Sequence, residues 1–326
     1  QQILPKVSRT FALNIGQLEG NTYRAVLIGY LLFRLADTFE DNIYQSENEK
    51  IKSLEDFAEI FSGDKNLGNR LKLYEPLESK WQEKSDEKEL VENGHKVLEC
   101  YFDLPAIYRS IMDPLVVKTS QGMAGFQRRK LNNKTKIFQL KDIADLEDYC
   151  YYVAGLVGVM LSDIFCREGN LSGLKAELEP YQVKFGLALQ FTNIIKDYQK
   201  DIARGWCYIP ASVTEKYGLD IAQSDNWSVK QKKDLLKELL PKVVDYFDAA
   251  LNYIKLLPKE IKSIRLFCVI PFVLAYRTVF KVVTLKGNKL SRPEVSEILA
   301  EGGNYAVSSG LLEKDYRRYR KKISEE

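Results

Sequence analysis

The chain has 326 residues, and its 48 Lys and Arg against 45 Asp and Glu leave a formal net charge of +3. Hydrophobic residues make up 45% and aromatic residues 11%, which excludes intrinsic disorder over most of the chain and predicts a sizeable core. So small a net charge over this length argues against a nucleic-acid-binding protein, which carries a concentrated basic face.

Helical periodicity recurs along nearly the whole chain. Apolar residues repeat at steps of three and four from Tyr23 to Arg34, and again around residues 90–112, 145–166, 181–203, 230–256 and 263–285. Breaks typical of loops separate these segments, at residues 62–65, 167–170, 217–220 and 286–288. Length alone would allow two domains, but no shift in composition marks a boundary. The pattern predicts one all-α domain over residues 1–326.

Cysteine and histidine usage excludes several kinds of site. The five cysteines are scattered without a CxxC pair, so neither a zinc site nor a disulfide framework is predicted. A reducing compartment, the cytoplasm, is therefore the expected location. The single histidine, His95, lies in a polar stretch and is predicted to be solvated, which removes most hydrolase mechanisms.

Membrane contact stays open at the sequence level. No uninterrupted run of about 18 apolar residues predicts a membrane span. The tail at residues 314–322 carries six Lys and Arg, typical either of a solvated terminal helix or of a peripheral contact with an anionic membrane. Because the sequence starts at Gln1 without Met, an anchor or targeting segment trimmed from either end also stays open.

Two acidic patterns lie in apolar helical contexts, where carboxylates are costly to bury without a partner. In the first, Asp37 and Asp41 are four residues apart and project from one helix face, with Arg34 one turn earlier. We call Asp37 and Asp41 the first ridge. The second ridge runs at steps of three, four and four through Gln190, Asn193, Asp197 and Asp201.

The two ridges together predict a Mg²⁺–diphosphate site. If the two helices face each other, four aspartates surround a gap lined by hard oxygen ligands. Mg²⁺ prefers such ligands, takes one or two carboxylates, and fills its other positions with water and substrate phosphate. The sequence has neither a P-loop nor a GxGxxG motif, so no glycine-rich phosphate loop offers a competing explanation.

Four segments, followed by Tyr208-Ile209-Pro210, carry a resemblance to a known family. They are Ser8-Arg9-Thr10-Phe11, the segment YLLFRLADTFED at residues 30–41, YCYYVAGLVG at residues 149–158, and QFTNIIKDYQKD at residues 190–201. Their order and spacing resemble those of the squalene/phytoene synthase family, over residues 7–295. The VAGLVG stretch is closer to the squalene synthases within that family.

The resemblance implies a fold and an activity. The fold is the class I isoprenoid synthase type, a single large all-α domain with a central cavity. The activity is the head-to-head condensation of two prenyl diphosphates, here farnesyl diphosphate or, as an alternative, geranylgeranyl diphosphate. The implied product is squalene, formed through presqualene diphosphate with Mg²⁺ and NADPH.

The resemblance also implies a role for each site residue. The implied metal ligands are Asp37, Asp41, Asn193, Asp197 and Asp201. The implied substrate-binding residues are Ser8, Arg9, Tyr30, Arg34, Gln190, Asn193 and Phe267, of which Tyr30 and Phe267 are pocket wall. Tyr149 is implied as a proton acceptor or cation stabiliser, although the residue type alone fits a core tyrosine equally well.

Three positions depart from the family pattern and keep other functions open. Lys200 replaces a frequent Glu, and Lys196 and Trp206 replace frequent arginines that handle diphosphate or cofactor. A phytoene, dehydrosqualene or presqualene diphosphate synthase without the reductive step is therefore an alternative. A terpene cyclase acting on one diphosphate and a non-catalytic prenyl-diphosphate-binding protein are further alternatives.

Overall fold

The computed structural model describes residue 4 and residues 9–79, 86–167 and 169–325. Helix makes up 81% of the protein, which confirms the prediction of an all-α fold. The α-helices are α1 (Arg9–Ile15), α2 (Gly20–Asp41), α3 (Glu47–Phe61), α4 (Leu67–Ser79), α5 (Asp86–Glu92), α6 (Gly94–Phe102), α7 (Ala106–Leu131), α8 (Ile143–Cys150), α9 (Leu156–Phe165), α10 (Lys175–Ala203), α11 (Ala211–Lys216), α12 (Val229–Leu256), α13 (Lys262–Val283), α14 (Arg292–Val307) and α15 (Ser309–Glu325). The remaining elements are the strands β1 (Phe138–Gln139) and β2 (Trp206–Cys207), a π-helical turn at Tyr151–Gly155, and 3₁₀ turns at Gly169–Leu174 and Ile221–Asn226.

Capping boxes define where three of these helices begin. At the start of α14, the Ser291 hydroxyl accepts a hydrogen bond from the Glu294 N–H, and the Glu294 carboxylate accepts one from the Ser291 N–H at 2.6 Å. Serine and a glutamate or glutamine three residues later do the same at the starts of α3 and α12. Each box satisfies backbone donors that the helix itself leaves unpaired.

The structure subdivides two of the helical segments that periodicity predicts as continuous. The segment around residues 90–112 contains parts of α5, α6 and α7, because the chain turns at Asn93 and again before Pro105. The segment around residues 145–166 contains the π-helical turn, where the Leu156 N–H donates to the carbonyl of Tyr151 five residues earlier. Such turns occur mostly as single insertions, often at functional sites.

The chain divides into two compact units. Unit 1 comprises residues 1–132 and 159–175, and α2, α3 and α7 pack together within it. Its core contains a run of aromatic rings with centroids 5.3–5.5 Å apart, from Phe39 through Phe57 and Phe61 to Tyr101. Unit 2 comprises residues 133–158 and 176–326, and α12, α13, α14 and α15 pack together within it. The prediction of one domain over residues 1–326 stays a prediction.

Helix α13 is, among the described residues, the one helix long and apolar enough to cross a membrane by length and composition. It packs against α12, α14 and α15 inside unit 2, and Phe272 and Tyr276 on it are fully buried. The core helix of a soluble protein has the same composition, so α13 is weak evidence for a membrane span.

The basic tail forms most of α15, an amphipathic helix. Leu312, Tyr316 and Ile323 form its buried face. Arg318 pairs with Asp315 on the same helix, and Arg320 pairs with Asp248 of α12. Part of the basic charge is therefore compensated within unit 2, and peripheral membrane contact stays a prediction.

Candidate diphosphate and metal site

The first ridge lies at the C-terminal end of α2, in unit 1. The Arg34 guanidinium lies 4.0 Å from the Asp37 carboxylate, one turn away, and also donates to Glu87 of α5 at 3.2 Å. Arg34 thus forms the predicted i,i+3 salt bridge and a second ion pair that sequence reasoning missed. Asp41, the other member of the ridge, is exposed at the end of the helix.

Desolvation sets the charge state of this ridge. Burial raises the pKa of Asp37 from 3.8 to about 7, while Arg34 opposes the shift and Asp41 reinforces it. Burial likewise raises the pKa of Glu40 to about 8, and the carboxylates of Asp41 and Asp37 add to the effect. Three carboxylates within five residues therefore repel one another in a partly desolvated environment, which a bound cation would relieve.

The second ridge lies on the last turns of α10, in unit 2, and its carboxylates already face cations. Asp197 accepts hydrogen bonds from Lys200 at 2.6 Å and pairs with Lys196 at 3.1 Å. Asp201 is buried and pairs with Arg204 at 2.6 Å. Partial burial raises the pKa of Asp197, but the hydrogen bonds from Lys200 and Lys196 outweigh it and hold that pKa below its usual value.

The amide members of the second ridge are more accessible. Asn193 is exposed, and its side-chain oxygen accepts a hydrogen bond from Lys196 at 3.3 Å. Gln190 is half-buried one turn earlier. Lys196 thus bridges an amide oxygen and the Asp197 carboxylate. Any diphosphate that reaches this ridge meets two ammonium groups as well as the carboxylates.

Tyr149 is the last residue but one of α8, in unit 2, and lies two residues before the start of the π-helical turn at Tyr151. Its hydroxyl is 3.0 Å from the hydroxyl of Tyr208, and the two rings stack with centroids 4.7 Å apart. The Trp206 indole contacts both rings, and its centroid lies 5.4 Å from that of Tyr208 and 6.3 Å from that of Tyr149. All three side chains are buried. We call Tyr149, Trp206 and Tyr208 the aromatic trio.

Glycines bring α10 into backbone contact with the segment that follows Tyr149. A Cβ on Gly158 would lie 2.1 Å from the carbonyl oxygen of Gln182, and a Cβ on Gly186 would lie 2.2 Å from that of Ala154. Real Cβ atoms do not approach so closely, so only glycine fits at both positions. The partner helix of the segment after Tyr149 is α10, which also carries the second ridge.

The remaining predicted residues lie in several places. Tyr30 is on α2, one turn before Arg34, and its ring packs on Phe11 with centroids 5.1 Å apart. Phe267 is buried on α13. Ser8 lies outside the described residues, as does the side chain of Arg9, whose backbone begins α1. Unit 1 thus brings together Tyr30, Arg34, Asp37 and Asp41, and unit 2 contains Tyr149, Gln190, Asn193, Asp197, Asp201 and Phe267.

The donor set of the ridges fits Mg²⁺. Each ridge offers two aspartates at i and i+4, and Asn193 adds an amide oxygen, all hard ligands. Within the described residues, no group of three or more His, Cys, Asp or Glu side chains could by itself hold a metal ion. A Mg²⁺ ion held by two carboxylates would have its other coordination positions filled by water and substrate phosphate.

Comparison with known proteins identifies the family. The profile of the squalene/phytoene synthase family matches residues 4–297. The chain belongs to that family. The squalene synthase of Dictyostelium discoideum is 31% identical over 285 residues, 85% of this chain and 62% of that protein. The squalene synthase of Rattus norvegicus is 30% identical over 279 residues, 84% of this chain and 61% of that protein. The chain thus spans about three fifths of the length of these relatives.

Solved structures of family members share the fold. The complex of TcSQS with the ligand BPH1237 has a TM-score of 0.78 and 25% sequence identity, covering 99% of this chain and 89% of TcSQS. A dehydrosqualene synthase solved with a ligand has a TM-score of 0.64 and 21% identity, covering 93% of this chain and 94% of its own. These similarities confirm the predicted isoprenoid synthase fold.

Proposed function

We propose that this member of the squalene/phytoene synthase family is a Mg²⁺-dependent prenyltransferase that joins two farnesyl diphosphates head to head. Presqualene diphosphate is the intermediate, and squalene, formed with NADPH, is the product. The observation that carries the proposal is the pair of aspartate ridges, each at i and i+4 on its own helix and each beside a cationic side chain. Family membership supplies the reaction class.

The residues of this chain divide the work of diphosphate departure. Arg34 on the first ridge, and Lys196 and Lys200 on the second, are placed to form charge-assisted hydrogen bonds with phosphate oxygens. Asp37 and Asp197 would hold Mg²⁺, with the other ridge members beside them. When bound, Mg²⁺ neutralises the diphosphate and makes it a better leaving group. Tyr149 would meet the organic cation, either by its ring or by its hydroxyl.

One observation favours a second candidate, a condensation that ends without reduction. The position of Trp206, where the family commonly has an arginine, is occupied by an indole buried in the aromatic trio. That position therefore offers no cation for a dinucleotide phosphate. Whether the protein uses NADPH is therefore the part of the proposal that the identity of the product tests.

A product assay tests the proposal. Purified protein is incubated with farnesyl diphosphate and Mg²⁺, with and without NADPH, and the phosphatase-treated extract is read by gas chromatography–mass spectrometry. We expect squalene with NADPH and presqualene alcohol without it, and loss of both products when EDTA removes Mg²⁺. Dehydrosqualene, or presqualene alcohol alone under both conditions, would support the second candidate. Unconsumed farnesyl and geranylgeranyl diphosphates would contradict the enzyme proposal and leave a binding role.

Lys200 should compete with a divalent cation for Asp197. Because the two side chains form a salt bridge at 2.6 Å, metal binding at Asp197 must displace the ammonium group. An exposed pair of this kind is worth about 0.2–1 kcal/mol, so Lys200→Gln is expected to tighten Mn²⁺ binding by a factor of about 1.4 to 5. Calorimetric titration with Mn²⁺ measures the change.

Lys237→Gln is the matched control for Lys200→Gln. Lys237 forms an i,i+3 pair with Asp234 on α12 at 3.1 Å, and Asp234 is not a predicted metal ligand. Its replacement is expected to leave Mn²⁺ binding unchanged. Equal effects of the two substitutions, or weaker binding in Lys200→Gln, would show that Lys200 does not compete with the metal.

A further inference from the structure

The hydroxyl pair inside the aromatic trio, formed by Tyr149 and Tyr208, is a contact that can orient Tyr149. A phenol hydroxyl rotates about its C–O bond, so its direction is set by whatever it hydrogen-bonds. In this protein Tyr208 makes such a contact, at 3.0 Å, and its ring also stacks on the ring of Tyr149 at an interplanar angle of 27°. Tyr208 therefore contacts both the ring of Tyr149 and its hydroxyl, and can influence the orientation of each.

Trp206 holds Tyr208 in turn. The indole stacks on the Tyr208 ring at an interplanar angle of 17°, and the ring of Phe138 packs edge-on against the indole with centroids 5.1 Å apart. Phe138 is thus a fourth aromatic ring that packs against the trio, through its contact with Trp206. A hydrogen bond between groups so little exposed is electrostatically stronger than the same bond in water.

The short pair of strands β1 and β2 holds the segments next to Tyr149 and Tyr208 in a fixed register. β2 pairs with β1 in parallel, with Phe138 opposite Trp206, and the Phe138 N–H donates to the carbonyl of Gly205 at 3.0 Å. Gly205 has a φ of +84°, which lets the chain turn from α10 into β2 at no steric cost. Helix α8, which carries Tyr149, begins only four residues after β1, so one ladder positions both tyrosines.

The backbone beyond Tyr208 is held from the same side. The Gln139 side chain of β1 donates to the carbonyl of Ile209 at 3.0 Å and to the hydroxyl of Thr214 at 2.9 Å. These hydrogen bonds join β1 to Ile209 inside the Tyr208-Ile209-Pro210 motif and to Thr214, four residues after the motif. That motif carries part of the family resemblance but receives no role from sequence reasoning.

We propose that Tyr208 is a positioning residue for the chemistry of Tyr149, with Trp206 as its support. This inference rests on the proposed function, because it assigns Tyr149 a part in the condensation. The Tyr208 hydroxyl acts by fixing the direction of the Tyr149 hydroxyl relative to the reacting cation. The Tyr208 hydroxyl does not itself contact substrate. Small errors in the orientation of a reacting group are costly in rate.

The test removes the hydroxyl and keeps the ring. Tyr208→Phe is expected to lower the single-turnover rate of presqualene diphosphate formation about ten- to hundredfold, because orientation is lost. The KM for farnesyl diphosphate should stay within about twofold, since binding is untouched. In the Tyr149→Phe background, the same substitution should have no further effect on the rate, because there is no hydroxyl left to orient.

Tyr316→Phe is the matched control. The Tyr316 hydroxyl is also buried and hydrogen-bonds a side chain, Asp248 at 2.8 Å, on α12. It should lower the melting temperature without changing the single-turnover rate. A rate within twofold of wild type in Tyr208→Phe, or a rate loss that persists in the Tyr149→Phe background, would overturn the positioning role alone. Wild-type protein without turnover would overturn the proposed function and this inference with it.

Discussion

Replacing Gly158 with alanine is expected to destabilise unit 2, because the added methyl group would clash with the backbone of α10. The added Cβ would lie 2.1 Å from the Gln182 carbonyl oxygen and 2.9 Å from its carbon, and both are backbone atoms that a rotamer change cannot move. Overpacking of this kind costs about 1–3 kcal/mol, occasionally more, which corresponds to a drop of roughly 2–8 °C in melting temperature for a unit of this size. Thermal unfolding followed by circular dichroism measures it.

Gly303→Ala provides the control for this effect. Gly303 lies inside α14, and a Cβ there would meet no heavy atom within 4 Å. Alanine is favoured over glycine in a helix by about 1 kcal/mol, so this substitution should leave the melting temperature unchanged or raise it. If Gly158→Ala unfolded at the same temperature as Gly303→Ala, the backbone contact between α10 and the segment after Tyr149 would be wrong.

The sequence could predict what depends on helical spacing. Asp37 and Asp41 share a face because four residues make about one turn, and that holds wherever the helix packs. The same argument orders the second ridge along α10. Loop residues also act locally, which is why the predicted breaks near residues 62–65, 217–220 and 286–288 coincide with the ends of helices.

The sequence could not predict what depends on contacts between distant segments. The second ion pair of Arg34 goes to Glu87, 53 residues away, and no local pattern indicates it. The pairing of β1 with β2 involves two residues in each strand, too few for alternation to appear. Trp206 is read from sequence only as a missing arginine, whereas its burial against Tyr208 and Tyr149 shows a packing role.

The charge states of the two ridges were also beyond reach of the sequence, although both contain the same pair of aspartates. In the first ridge, partial burial and the neighbouring Asp41 carboxylate raise the pKa of Asp37, whereas the carboxylates of the second ridge pair with Lys196, Lys200 and Arg204. Only the fold determines how much water each carboxylate keeps. Because of this difference, replacing an aspartate with asparagine is expected to change the stability of the folded protein in opposite directions at the two ridges.

Asp37→Asn and Asp197→Asn are both expected to reduce turnover by roughly a thousandfold or more, because each removes a carboxylate from a Mg²⁺–diphosphate site. Helicity by circular dichroism should be nearly unchanged, since asparagine keeps the size of the side chain. Rates of farnesyl diphosphate consumption at saturating Mg²⁺ measure the loss. Full activity in either variant would contradict the role of that ridge.

The stability of the same two variants should differ in sign in the absence of divalent cations. The pKa of Asp37 is raised to about 7 in the folded state, so the unfolded chain loses its proton first and the folded state is disfavoured as the pH rises from about 4 to about 7. Asparagine removes this term, and Asp37→Asn should therefore be more stable than wild type, by more at pH 8 than at pH 5. Because 38% of the Asp37 side chain is exposed, solvent screens part of the gain.

The contribution of Asp197 to stability has the opposite pH dependence. Its pKa is held below the unfolded value, so its stabilising contribution is complete above about pH 4 and is lost only as the pH falls through the folded pKa. Asp197→Asn should be less stable than wild type by about 0.2–1 kcal/mol, equally at pH 5 and pH 8. Thermal unfolding in EDTA at both pH values compares the two variants. If Asp37→Asn were less stable than wild type by an amount that did not depend on pH, Asp37 would serve the fold. A carboxylate that turnover requires, but that does not stabilise the folded state, is retained for its ligand.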